Sequence, residues 1–331
     1  MKAILHLGDQ KAGSKSIQNF LKENDKNLQK ENVLNSKCTK LGGYDAGLRA
    51  LSGQAGWAEQ FSKRKRFDNG SYEAIKSYVN RELKSEMGTT SASVMVFSFE
   101  GLLGMPHKEK ESLIVFLHRY FEEIDAVAFL RRNDRKVRSG YATRIQNEGI
   151  VDRDIFFGKN GAARGPRYLS DIEKWSELLG KDSFHAINFD QSNDVVGDFV
   201  ELLGLEGPFH HGPERKNVAP TACALEVMLR FNEKMAVLEP YCQKPIAIRR
   251  EIRQILKEGG RFMPARRRAV KHYEIFKEEN IRLGEELLGV EEDFFDNDFS
   301  EYPQEEEAVH ISDDEFLKHV NMAARNSGLE M

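Results

Sequence analysis

Six consecutive residues, Lys11-Ala12-Gly13-Ser14-Lys15-Ser16, combine two ammonium groups, two hydroxyls and a glycine. Those residue types grip phosphates and related anions: hydroxyls and backbone N–H groups donate hydrogen bonds, lysine adds full positive charge, and glycine admits close backbone approach. The elements that must position them are readable on either side. Ala3 to Leu7 is a short apolar run ending at Gly8, the pattern of a buried strand, while Ile17, Phe20, Leu21 and Leu28 follow a helical period. A helix starting near Ser14 leaves its first N–H groups without intrahelical partners and turns the positive end of its dipole to the same point. Strand, glycine turn and helix together form an anion cradle. The same residues also fit an ordinary N-capped turn between strand and helix.

Three later stretches make sense around that loop. Residues 93–100 are a continuously apolar strand, as parallel strands buried on both faces are, and it ends in an acid. In an open parallel sheet the carboxyl ends of the strands line the ligand crevice, so Ser98 and Glu100 open toward the glycine loop. Glu100 is there a candidate proton acceptor, or else a cap or lysine partner for the following helix, expected over 109–123. Residues 125–130 form a third strand that runs into Arg131, and Ser139 follows eight positions later on the next helix, with Asn133 as its expected N-cap. An arginine at a strand end and a serine two turns into a helix suit one phosphate, through a charge-assisted fork and a hydroxyl donor. A fourth strand over 184–189 and a helix over 194–203 complete an α/β series, and the chain from Cys223 onward reads as helical.

The loop is near the G-x-x-x-x-G-K-[ST] phosphate loop, but Ser14 intervenes between Gly13 and the second lysine, and Lys11 precedes the glycine. Lysine first, then a small residue, glycine and hydroxylated residues, resembles the sulfotransferase loop P-K-[ST]-G-T-T-[WS], and Lys11 to Gln18 resembles its bacterial form K-T-G-T-T-S-I-Q. Gln10 stands where that family has proline and Lys15 where it has threonine. Arg131 and Ser139 have the spacing of the family's pair for the nucleotide 3′-phosphate, Ser98-Phe99-Glu100 resembles its Ser-x-Glu strand end, and residues 168–203 resemble its second half. The resemblance covers roughly the first two hundred residues, the scale of one domain.

That resemblance implies an α/β, P-loop-like three-layer fold with a central, mostly parallel sheet flanked by helices. Residues 1–210 would be the core, and 211–331 a helical C-terminal extension with an acidic tail, packed on the core. It implies 3′-phosphoadenosine 5′-phosphosulfate (PAPS) as sulfuryl donor, adenosine 3′,5′-bisphosphate (PAP) as product, and a hydroxyl or amine of a small molecule or carbohydrate as acceptor. Lys11 would neutralise the leaving oxygen, Ala12, Gly13, Ser14, Lys15 and Ser16 would hold the 5′-phosphate, and Arg131 and Ser139 the 3′-phosphate. Arg215 and Lys216 would add contacts in the place of the family's late Arg-Lys-Gly, with Asn217 standing for the glycine. Glu100 would receive the acceptor's proton, with His107 in reserve, and no metal would be required. Two other readings stay open: a phosphotransferase using ATP and magnesium, which would want a lysine directly after Gly13 and an aspartate at a strand end, and a nucleotide-binding protein without catalysis.

Composition narrows the rest. With 40% hydrophobic and 31% charged residues the chain has a globular composition. No apolar run reaches about 18 residues and no secretory leader is recognisable, so neither a membrane span nor export is expected, and a cytoplasmic location is. Cys38, Cys223 and Cys242 lack metal-ligand spacing. The net charge is −4, yet residues 283–317 hold fourteen Asp or Glu and no Lys or Arg, so the remainder is strongly basic, as suits an anionic ligand. The acidic run itself, and the arginines at 249, 250, 253, 266, 267 and 268, read as solvated surface. No nucleic-acid-binding module is recognisable.

Overall fold

The computed structural model describes residues 1–38, 40, 47–48, 72–158, 161–210, 219–238, 245–289, 291–306 and 309–328. Five strands, β1 (Lys2–Gly8), β2 (Val33–Asn35), β3 (Val94–Glu100), β4 (Glu123–Leu130) and β5 (Phe184–Asn188), form one parallel sheet in the order β2-β3-β1-β4-β5. The strand order turns about β1, which carries the glycine loop, so later strands flank it on both sides and every carboxyl end opens at one edge. The central strands are mostly apolar, with the buried pair His6 and Ser98 as an exception, because helices cover both faces, giving the expected three-layer α/β architecture. On one face helix α1 (Ser14–Glu23) and the helix Val195–Leu202 pack Ile17, Phe20, Leu21 and Phe199 against Ile4, Val96, Val127 and Phe129. On the other, Phe97 of β3 meets Phe121 edge to face, and the helix Tyr168–Leu179 lies along β4.

Some local expectations needed correction. The helix expected over 109–123 is His107–Leu117, because β4 already begins at Glu123. Asn133 is the first residue of helix Asn133–Glu148 rather than its N-cap, and its amide donates to the Pro166 carbonyl at 3.0 Å. Val33–Asn35 forms a short edge strand paired with the start of β3.

Contacts divide the chain into two units that interleave along the sequence. The first comprises residues 1–131, 167–215 and 282–295 and holds the sheet; the second comprises 132–166, 216–281 and 296–331 and is helical. The second unit shows where much of the acidic run goes. Arg132, fully buried, forks onto Asp134 at 2.7 and 3.1 Å and reaches Asp296 at 2.6 Å, while Glu301 accepts from both Arg135 (2.6 Å) and Arg138 (2.7 Å). Tyr302 donates to Asp134 at 2.6 Å. Arg249 donates to Asn232 at 2.7 Å, Arg266 to the Tyr302 carbonyl at 3.1 Å, and Arg268 to Glu306 at 2.9 Å. Acids of the run thus pair with Arg132, Arg135, Arg138 and Arg268, whereas Arg249 and Arg266, expected as solvated surface, bond an amide oxygen and a backbone carbonyl. Among the described residues, no helix is long and apolar enough to cross a membrane.

Candidate functional site

The loop after β1 is shaped by its neighbours. Gly8 lies in register with Glu100, and a Cβ there would stand 3.0 Å from both the Glu100 Cα and the Ser14 Oγ. The chain then turns tightly: the Ala12 N–H and the Ser14 hydroxyl both donate to the Asp9 carbonyl, at 3.3 and 2.9 Å. Lys11 and Gly13 adopt left-handed backbone angles, φ 68° and 80°. For lysine that conformation is unfavourable by about 1 kcal/mol, and such strain collects at ligand-binding turns. At Gly13 a Cβ would come within 2.7 Å of the Val195 Cγ1, so the glycine serves packing as well as conformation.

α1 begins without a side-chain cap. The N–H groups of Ser16 and Ile17 return to the Gly13 carbonyl at 2.8 and 3.3 Å, whereas those of Gly13, Ser14 and Lys15 have no hydrogen-bond partner among the described residues. Three uncapped donors at a helix N-terminus, with Lys11 and Lys15 exposed beside them, match an anion's requirements. Ser14 contributes its backbone only, since it is buried and its hydroxyl serves the Asp9 carbonyl. Ala12 is buried in the core cluster, and Ser16 is exposed on the first turn.

Arg131 reaches this loop from the end of β4. Its Nη1 donates to the Lys11 carbonyl at 3.0 Å, its Nε lies 3.5 Å from Asp190 Oδ1, and its guanidinium stacks 5.0 Å from the Phe189 ring centre. Phe189 and Asp190 directly follow β5, so the ends of three adjacent strands converge. Behind them Tyr168, fully buried, donates to Asp9 Oδ2 at 2.7 Å. Glu100, half-buried, completes the group: burial raises its pKa above the ordinary carboxylate value, Lys15 and Lys11 pull it back, and Asp9 raises it further. The raised value moves the carboxylate toward the range of a useful proton acceptor.

The structure thus brings together Lys11, Gly13, Ser14, Lys15, Glu100 and Arg131 within the sheet-bearing unit. Ser139 lies in the second turn of helix Asn133–Glu148, in the helical unit. Arg215 and Lys216 fall outside the described residues. His107 opens its helix and sits 3.4 Å from Glu111, one turn on. Sequence reasoning passed over Asp9, Tyr168, Phe189 and Asp190. An acid directly after the strand glycine was a visible signal for Asp9; nothing local marks the other three.

No protein-family model matches the chain, and no characterised protein matches it by sequence. Among solved structures it is similar to a sulfotransferase from Alicyclobacillus acidocaldarius, at 13% identity over 77% of this chain and 96% of that one, with a TM-score of 0.38.

Proposed function

We propose that the protein is a sulfotransferase that moves the sulfuryl group of PAPS to a hydroxyl or amine of a small-molecule or carbohydrate acceptor. The observation that carries this reading is the contact of Arg131 Nη1 with the Lys11 carbonyl, which sets a strand-end guanidinium beside a lysine-glycine loop. An adenosine bearing phosphates at both 3′ and 5′ positions needs two such neighbouring centres of positive charge.

The residues fit that nucleotide. The uncapped N–H groups of Gly13, Ser14 and Lys15 would hold its 5′-phosphate, and Arg131 its 3′-phosphate through a charge-assisted fork. Ser139, at the same 3′-phosphate, and Arg215 and Lys216, as further contacts, are assigned by the family resemblance. When bound, the donor supplies an activated sulfuryl group. Lys11 would neutralise the charge that develops on the leaving phosphate oxygen, with the helix end aiding it. Lysines and helix N-terminus would together do the electrostatic work that magnesium does for nucleoside triphosphates. Glu100, its pKa raised chiefly by burial, would take the acceptor's proton.

The test is Lys11→Ala. Transfer from PAPS, followed as PAP release across a panel of phenols, sugars and amines, should fall about 10²- to 10³-fold, while PAP binding changes only a fewfold. Unchanged turnover would remove Lys11 from the mechanism, and magnesium-dependent ATP turnover without sulfuryl transfer would replace the reading with phosphoryl transfer.

A further inference from the structure

Tyr168 is the first residue of helix Tyr168–Leu179, and its fully buried ring rests against Phe295, 6.1 Å between centres. Its hydroxyl meets two strand ends at once. Asp9 Oδ2 lies 2.7 Å away, the Arg131 carbonyl oxygen 3.0 Å, and the Arg131 N–H donates toward the phenol oxygen at 3.4 Å. The hydroxyl has one hydrogen, which the shorter contact to the carboxylate takes. Asp9 opens the glycine loop and Arg131 directly follows β4, so a single side chain joins the two segments that carry the charges of the cradle. Burial, and after it the Asp9 charge, pushes the phenol's pKa well above its usual value, so it remains a donor.

The carboxylate so held is a hazard to the site. Asp9 is nearly buried and close enough to Glu100 to raise its pKa, in the same group as Lys11 and Lys15. A negative charge free to swing there would pair with a lysine or repel the ligand, because an anion beside a carboxylate in a poorly solvated site is strongly disfavoured.

We propose that Tyr168 is a positioning residue of the anion cradle, fixing the Asp9 carboxylate against the Arg131 backbone so that the loop's backbone donors and Lys15 stay available to a phosphate. The inference rests on the proposed function only for the identity of the ligand; the device itself serves any phosphate-like anion.

The experiment is a double-mutant cycle on the full chain, Tyr168→Phe against Asp9→Asn, with PAP and inorganic pyrophosphate as separate calorimetric probes and the thermal midpoint recorded for each protein. Tyr168→Phe should weaken binding about tenfold or more. In the Asp9→Asn background the same change should matter little, since the charge it restrains is gone. A merely structural tyrosine would lower the midpoint equally in both backgrounds and show no such coupling in affinity. Equal losses in the two backgrounds, or no loss, would overturn the inference. Should Tyr168→Phe not fold, Asp9→Asn alone decides: it should bind as well as the parent or better, and weaker binding contradicts the assignment. Binding of pyrophosphate but not PAP would sink the sulfotransferase reading while leaving the cycle to judge Tyr168, and binding of neither would overturn both.

Discussion

His6 Nδ1 and Ser98 Oγ stand 2.7 Å apart across the parallel pair β1 and β3, both buried, two residues before Gly8 and Glu100 close the same register. This polar tie inside an apolar sheet fixes which residues of the two strands face each other at the site edge, where a one-residue slip would reverse every side chain. Phe129 and Phe199 enclose the ring, and its Nε2 has no hydrogen-bond partner among the described residues.

Burial lowers the His6 pKa from 6.5 to about 3. The unfolded chain therefore binds a proton that the folded chain does not between those values, and stability falls as pH drops from 6.5 toward 3. Urea midpoints compared at pH 7 and pH 5 should show this loss, and His6→Gln, which cannot titrate, should show a smaller one. An equal loss in both proteins would mean that other groups govern the acid limb.

Gly13→Ala combines a left-handed backbone with a Cβ 2.7 Å from Val195 Cγ1. It should destabilise the protein by more than about 2 kcal/mol, through conformational strain and overpacking together. Adding Val195→Ala should recover the steric share, even though Val195→Ala is itself destabilising. If the second change recovers nothing, the packing account of Gly13 is wrong.

For Glu100 the pH dependence of transfer has a definite sign. A carboxylate that accepts a proton works only when ionised, so kcat/KM should rise with pH through its raised pKa. Lys15 is the first among the charges that lower that pKa, so Lys15→Ala should move the acid limb of the profile to higher pH. Glu100→Gln should remove the limb along with most of the activity. A limb that stays in place in Lys15→Ala would point to another base.

Much of this edge was legible in the sequence because its signals are local. Apolar runs that end at Gly8, Glu100 and Arg131 mark the carboxyl ends of buried parallel strands, and Lys11 to Ser16 mark the turn between them. What stayed hidden depends on partners far along the chain. Tyr168 and Asp9 are 159 residues apart, and Arg132 and Asp296 are 164 apart, so neither pairing leaves a spacing to read. Tyr120 and Phe121 keep a helical apolar period after the helix has stopped at Leu117, because Phe121 is needed against Phe97 of the sheet. Val33–Asn35, three residues on the sheet edge, is too short for any periodicity to register.

Arg131→Ala separates the two ends of the proposed nucleotide. Its guanidinium serves both the Lys11 carbonyl and, by this account, a 3′-phosphate. Affinity for PAP should fall about 10- to 100-fold, and affinity for adenosine 5′-monophosphate, which lacks the 3′ group, by much less. Equal losses would leave Arg131 as a brace for the loop only.

The most direct test of the account is a calorimetric titration of the full chain with PAP and, separately, with ATP and magnesium. Two adjoining centres of positive charge, at the Lys11 loop and at Arg131, predict that PAP binds without added metal and more tightly than magnesium ATP. Tighter binding of magnesium ATP, or no heat from PAP at all, would contradict it.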